Sequence, residues 1–372
     1  MIKIRYCGST PDNSGYGDAN RADIASLFLA GGDVSVEAES QTIAKVPTGW
    51  VGELCQSLEN RDIDYKIKIV HLTPDCYPRY LEEGKYHVGR LMWETNLLPP
   101  EWIAPCNKME EIWTATKEQA EVIKNSGVKV PIYVFPEAVD ISLAEKQMEE
   151  FVIPNFTGTV FYSIFQWIER KDPHSLLTTY WKTFEGVDDV VLILKTYRVT
   201  YSEADFKKIK DDITRWKNSL KLKNYPKVLL VQELFDGRKL WQLHKTGGVL
   251  ISTSRGEGWN RPAVEASLLG NPVISIDRTG FADIFPKDIF YPVTCAEAPV
   301  ITQSWIPWYQ KEQVWFNINT QDLSRTMMQV YKDQEEVRLR GTKAQNWVKD
   351  NLSYHKVGQA MIERLEEISK FI

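Results

Sequence analysis

The sequence predicts an α/β protein of two consecutive doubly wound domains, and three observations carry that expectation. At 372 residues the chain exceeds what one hydrophobic core usually supports. β-Branched runs alternate with helical runs in both halves, the order of βαβ units whose right-handed crossovers give parallel sheets. Between the halves, the segment from Leu143 to Asn155 is charged, lacks a period and meets Pro154, as a linker does. The expected boundaries are 1–150 for the first domain, 151–350 for the second, and a helix over 351–372 that packs back on the first.

In the first half a strand at Ile2 to Tyr6 leads into the loop GSTPDNSGYGDAN and the apolar helical run ADIASLFLAGG, closed by Gly31 and Gly32. A strand near Val34 to Ala38 and a helix around Val51 to Asn60 follow, then the β-branched run YKIKIVHLT. HVGRLMWET and EIWTAT read as strand ends, EQAEVIKNSG as a helix stopped by Gly127, and PIYVFPEAVD as the last strand of this half. After the linker the pattern restarts. GTVFYSIFQW, VVLILKTY, KVLLVQEL, GVLISTS and NPVISI read as strands. PHSLLTTYWKTF, the long polar EADFKKIKDDITRWKNSLKL, DGRKLWQLHKTG and RPAVEASLLG read as the helices between them. From Thr320 to Ile372 the spacing is helical throughout. Two such domains leave a cleft between the carboxyl ends of their sheets, so functional groups are expected on strand-to-helix loops.

Composition narrows the class. Hydrophobic residues at 43% and charged residues at 26% are globular values, and no run approaches the roughly 18 apolar residues of a membrane span. MIKIRYCG lacks the apolar core of a signal peptide, which predicts a cytoplasmic protein. Five scattered cysteines without a C-x-x-C pair argue against a disulfide framework and a zinc site. A net charge of −5 gives no overall attraction to nucleic acid or anionic lipid. The helix over 204–222, with Lys207, Lys208, Lys210, Arg215, Lys217 and Lys221, is either a solvated face or a local membrane or nucleic-acid contact.

The densest chemistry lies in SRGEGWNRPAVEASLLGNPVIS, residues 254–275. Glu257 sits in a glycine-flanked loop and Glu265 one turn inside a helix that starts near Pro262 and ends at Gly270. Gly256 and Gly258 let the backbone approach a ligand, and the unpaired N–H groups of the helix's first turn attract an anion such as a diphosphate. Carboxylates beside that anion would accept hydrogen bonds from sugar hydroxyls.

This segment closely resembles the donor-site signature of family 4 glycosyltransferases (glycosyl transferases group 1). The resemblance extends over nearly the whole chain. SGYGDANR, with Gly15 and Gly17, is similar to that family's glycine-rich first loop; RLMWETNLLPPEW and PIYVFPEAVD resemble its acceptor-domain stretch, with Glu137-Ala138 where glycine is more common. FQWIERKDPHSLL resembles the segment whose arginine and lysine hold the donor diphosphate. Lys171 occupies the lysine position, whereas Gln166 replaces the arginine; the adjacent Arg170 either substitutes for it or is a surface residue.

The resemblance implies a GT-B fold, two Rossmann-like domains facing each other across a cleft. It further implies a retaining transferase that moves a hexose from a UDP- or GDP-sugar to an acceptor: a glycan, lipid-linked sugar, protein, small molecule or modified DNA base. Glu257 would orient the donor sugar and Glu265 the ribose, with Gly258, Trp259 and Asn260 beside them. Lys171, Arg170 and, from a strand end, Lys195 would balance the phosphate charge. No Asp-x-Asp stands at a strand end facing the cleft, so no metal and no cofactor beyond the nucleotide sugar is expected. His71, ending a strand at the cleft edge, is either catalytic or structural. Glu94 is the acceptor-side carboxylate, flanked by Trp93 and Trp102, which either stack on an acceptor sugar or fill the core. The alternative from another class is a catalytically silent nucleotide-sugar or carbohydrate binding module of the same fold.

Overall fold

The computed structural model describes every residue except 13, 41–48, 148, 234, 236 and 304. Asn13 of the expected first loop, Met148 of the expected linker, and Leu234 and Asp236, at the end of one expected strand and the start of one expected helix, lie outside the described residues. The chain divides into two compact units, Met1–Leu143 with Trp308–Gln313 and Val348–Ile372, and Ala144–Pro307 with Val314–Trp347.

The first unit opens with β1 (Lys3–Gly8), α1 (Gly15–Leu29), β2 (Asp33–Ala38), α2 (Trp50–Ser57), β3 (Ile67–His71) and β4 (Tyr86–Arg90). It continues with α3 (Pro100–Cys106), β5 (Glu111–Thr114), α4 (Lys117–Asn125) and β6 (Ile132–Val134). The strands form one parallel sheet in the order β2-β1-β3-β4-β5-β6. Ser14 caps α1, its hydroxyl accepting from the Gly17 amide at 3.2 Å. Gly17 is required sterically: a Cβ there would stand 2.1 Å from the Asp12 carbonyl oxygen. Alternating apolar residues of β1 to β4, among them Ile4, Tyr6, Val36, Ile69 and Val88, fill the core.

The second unit contains β7 (Thr159–Gln166), α5 (Pro173–Thr183), β8 (Val190–Tyr197), α6 (Glu203–Leu220), β9 (Lys227–Val231), α7 (Gly237–Lys245) and β10 (Val249–Ser252). Then come α8 (Arg261–Leu268), β11 (Val273–Ile276), α9 (Phe281–Ile284), β12 (Tyr291–Val293), the antiparallel pair β13 (Cys295–Pro299) and β14 (Val314–Ile318), and α10 (Thr320–Lys332). Its parallel sheet runs β12-β11-β10-β7-β8-β9. Near-continuous apolar runs in β7 and β8 reflect strands covered on both faces. On α6, Phe206 and Ile209 face the core while Lys207, Lys208, Lys210 and Lys217 are exposed.

The single helical stretch expected after Thr320 is three helices, α10, α11 (Gln334–Asn351) and α12 (Tyr354–Ser369), the last restarted by the Ser353 cap. Val348–Ile372, and so α12, falls in the first unit, where Gly358 passes so close to α1 that a Cβ would lie 1.9 Å from the Ser26 carbonyl oxygen. Among the described residues no helix is long and apolar enough to cross a membrane.

Candidate functional site

In the second sheet the chain enters at β7, builds outward through β8 and β9, then returns to β7's other side with β10. The β7/β10 junction is therefore the topological switch point, and loops leaving the carboxyl ends of those strands diverge there. The loop after β7 carries a 3₁₀ turn, Glu169–Lys171, and the loop after β10 carries Ser254 to Asn260.

These loops are zipped together. The Arg255 amide donates to the Arg170 carbonyl at 2.7 Å, and the Thr253 hydroxyl to the Lys171 carbonyl at 3.0 Å. The Arg255 guanidinium pairs with Asp172 at 3.3 Å. Asp172, in the left-handed region at φ 47°, caps α5 through the Ser175 amide and so fixes where the 3₁₀ turn ends. Held this way, Lys171 Nζ pairs with Glu257 Oε1, and Arg170 Nη1 donates to Glu257 Oε2 at 3.0 Å and to the Gly256 carbonyl at 2.7 Å. Burial pushes the Glu257 carboxyl up, but the charges of Lys171 and Arg170 outweigh it and hold the group down at about 2. Arg170 thus belongs to the cluster rather than to the outer surface, while Gln166 donates to the Arg198 carbonyl at 2.7 Å. Lys171, Glu257, Asn260 and the ends of β7 and β10 line a cavity of about 10 Å³, room for about one water. The ion pairs fill the site with its own side chains.

Asn260, at φ 75°, begins α8 without a side-chain cap on the helix amides, because its own amide donates to Ser252 Oγ at 3.1 Å. Pro262 in the first turn removes one donor and leaves an end suited to an anion. Gly258 and Trp259 are buried in the same loop. Glu265, one turn in, is nearly buried, with Oε2 3.6 Å from His244 Nε2 and Oε1 3.7 Å from Arg261 Nη2. His244 is itself wholly buried and fixed from behind. The Asn271 amide donates to the Tyr162 hydroxyl at 3.0 Å and to the His244 carbonyl, and Tyr162 Oη lies 2.9 Å from His244 Nδ1. With its oxygen already accepting, the Tyr162 hydroxyl can give its proton to Nδ1, which leaves Nε2–H facing Glu265. Nothing in the sequence marked His244, whose role appears only when α7, β7 and α8 are brought together.

One strand over, Lys195, two residues before β8 ends, sits in an aromatic enclosure, its ammonium 4.8 Å from the Tyr201 ring and 5.2 Å from that of Phe235. It is only 4% exposed, and burial depresses its pKa to about 8. The lysine expected to balance the phosphate charge from a strand end is thus buried among aromatic rings.

In the first unit, His71 was expected at a cleft edge and is instead wholly buried. Its Nδ1 lies 2.6 Å from Tyr6 Oη and 3.3 Å from Asp23 Oδ2. Arg90 Nε donates to the same Asp23 oxygen at 3.0 Å, and its Nη1 donates to the Thr114 and Phe135 carbonyls, tying the ends of β4, β5 and β6 together. Burial pushes the His71 pKa down, favouring the neutral ring. Trp93 is a core residue, edge-on to Trp102 at 4.8 Å and donating through Nε1 to Thr95 Oγ1 and the Leu97 carbonyl, so it offers no open face for stacking. Glu94 is half-buried. A Cβ on Gly15 would meet open space, unlike one on Gly17. Among the described residues no group of three or more His, Cys, Asp or Glu side chains is arranged to hold a metal ion.

No protein-family model matches the chain. No curated protein matches it. Solved structures do. Anabaena Alr3699/HepE in complex with UDP and glucose superposes with a TM-score of 0.67 at 15% identity, over 99% of this chain and 100% of that one. Sucrose-phosphate synthase from Thermosynechococcus elongatus gives 0.68 at 10% identity over 100% of both chains. The pneumococcal O-GlcNAc transferase GtfA, in complex with UDP and GlcNAc, gives 0.55 at 11% identity, over 81% of this chain and 56% of that one. With its two parallel six-stranded sheets, the chain has the GT-B fold.

Proposed function

We propose that the chain is a glycosyltransferase that takes a hexose from a UDP- or GDP-sugar and passes it to a hydroxylated acceptor with retention of anomeric configuration. The observation that carries this reading is the Arg170–Lys171–Glu257 cluster at the switch point of the second sheet, beside the open end of α8. Two cations and a helix N-terminus form a receptor for a diphosphate, and a carboxylate adjoining them suits the sugar on its far side. The complexes of HepE with UDP and glucose and of GtfA with UDP and GlcNAc, on the same fold, favour a uridine nucleotide.

In this scheme residues 151–350 form the donor side and residues 1–150 the acceptor side, with 351–372 completing the latter. The incoming β-phosphate takes Lys171 and Arg170 from Glu257, and the freed carboxylate accepts hydrogen bonds from sugar hydroxyls. As the bond from the anomeric carbon to the phosphate oxygen breaks, charge builds on that oxygen, where the two cations and the α8 amides stabilise it most. The acceptor hydroxyl attacks from the same face, and its proton passes to the departing phosphate. Glu265, steadied by His244, holds the ribose. Lys171 and Arg170 supply the counter-charge that a divalent ion supplies elsewhere, so the reaction proceeds without one.

The test is transfer and hydrolysis of UDP-glucose and GDP-mannose with and without EDTA, with proton NMR of the product's anomeric signal. An α-product formed at an undiminished rate in EDTA agrees with the proposal. A β-product, or strict dependence on added magnesium or manganese, contradicts it. Binding of both nucleotide sugars with no turnover toward water or any offered acceptor would favour the silent binding module.

A further inference from the structure

The second unit holds another cavity, larger than the one between Lys171 and Glu257, at about 380 Å³. That is within the range of small-ligand pockets. It opens beside the 3₁₀ turn Glu169–Lys171 and is walled by α5, α6 and, after β13, residues 301–303 and 305.

Its lining is aromatic and polar at once. Trp167 and Trp216 stack at 5.5 Å with their planes 13° apart, and Asp212 fixes the pair by accepting from Trp167 Nε1 at 3.1 Å. Trp305, on the segment after β13, is 46% exposed. An indole left that open forgoes the burial that normally places tryptophan in a core. Polar groups stand around the indoles. The Arg198 guanidinium and the Glu169 carboxylate make no hydrogen bond to another described residue, and the Gln303 side-chain nitrogen is buried without a partner. Among the described residues the site therefore combines one open indole with hydrogen-bond donors and an acceptor that line the same cavity.

We propose that this cavity binds a neutral, hydroxylated glycan, seated against the open indole of Trp305 beside half-buried Trp216. A pyranose ring presents C–H groups to an aromatic face and hydroxyls at its edge, and each hydroxyl both donates and accepts. Arg198 and Gln303 can donate to such hydroxyls, and Glu169 can accept from them. An anionic ligand fits less well, because Glu169, Asp172 and Asp212 all line the cavity and oppose the charge of Arg198 and Arg215. The proposal stands apart from the donor reading, since none of Arg170, Lys171 and Glu257 takes part in it.

The experiment titrates the whole chain with maltose, cellobiose, lactose and chitobiose, following intrinsic fluorescence and saturation-transfer NMR, with and without saturating UDP. At least one disaccharide should bind saturably, and UDP should not displace it. Trp305→Ala should weaken that binding roughly tenfold or more, Arg198→Ala measurably, and Trp305→Phe least. Trp305 is too exposed for its loss to threaten folding, which circular dichroism would check. Absence of saturable binding across the panel overturns the proposal, as does equal binding by wild type and Trp305→Ala. Displacement by uridine or UDP would make the cavity a nucleotide pocket and also overturn it. Disaccharide binding that persists while UDP-glucose fails to bind would refute only the donor reading.

Discussion

Replacing Glu257 with glutamine separates the ion-paired cluster's contribution to stability from the part in reaction proposed for it. Holding this carboxyl at about 2, rather than at its ordinary 4.5, corresponds to about 3 kcal/mol of interaction with Lys171 and Arg170 at neutral pH. The side chain is only 11% exposed, so solvent screens little of it. Because the folded-state pKa is depressed, the stabilisation is fully present above about pH 4.5 and is lost as pH falls through 2. Urea unfolding should therefore find Glu257→Gln less stable than wild type at pH 7 by up to about 3 kcal/mol, with the gap closing toward pH 2. The variant also leaves two nearly buried cations without their carboxylate, so UDP should stabilise it more than it stabilises wild type. Turnover should nonetheless fall on the order of a hundredfold, since nothing charged then holds the donor sugar. A stability gap of the same size at pH 3 and pH 7 would refute the ion-pair account. Unchanged kcat would refute the assignment of the site.

Other perturbations test neighbouring links. Lys171→Ala should lower kcat by about a hundredfold even at saturating donor, because its charge matters most as the phosphate departs; a change confined to KM would place it in uniform binding instead. Glu265→Gln should weaken UDP-sugar binding by about 1 to 3 kcal/mol with a smaller effect on kcat, and His244→Ala should reproduce part of that loss through KM alone, with His244→Gln intermediate. Lys195 has a folded-state pKa depressed to about 8 by burial, so the unfolded chain binds more protons between about pH 8 and 10.5 and stability should rise with pH across that window. Lys195→Met should flatten the rise and be the more stable protein at pH 7, which thermal unfolding at several pH values would show.

The strands and helices of both sheets were legible because each sheet is buried on both faces, which leaves continuous β-branched runs such as VVLILKTY between polar helices. Less legible were elements whose cause lies elsewhere in the fold. The β13–β14 pair spans a segment without alternation, and α3 carries prolines at both ends. Glu257 and Glu265 stood out from residue type and spacing, as did the glycines around them, whereas Lys171 was marked only by the family resemblance of its segment. The sequence left His71 as catalytic or structural and Trp93 as stacking or core, and did not show the burial of Lys195, because whether a strand-end side chain meets solvent depends on what packs above it. For His71 that is Asp23, from α1, and Arg90, from β4. Arg170 illustrates the same limit: its neighbour Lys171 carried the signal, yet only the bonds from Arg255 to Arg170 and Asp172 show why both cations reach one carboxylate.

Because the cations are already engaged, donor binding on the proposed reading is an exchange of partners, and this imposes an order. A free hexose meets a Glu257 carboxylate occupied by Lys171 and Arg170, and it has no charge with which to draw them off. A nucleoside diphosphate does, and once it holds the cations the carboxylate is free for hydroxyls. UDP should thus raise the site's affinity for glucose, and by linkage glucose should raise its affinity for UDP by the same factor. Calorimetric titration of each ligand with and without the other measures both factors. Equal factors above one fit partner exchange, and in Glu257→Gln, where there is no carboxylate to release, both should fall toward one. Coupling that persists undiminished in that variant would mean that the nucleotide prepares the sugar site by another route.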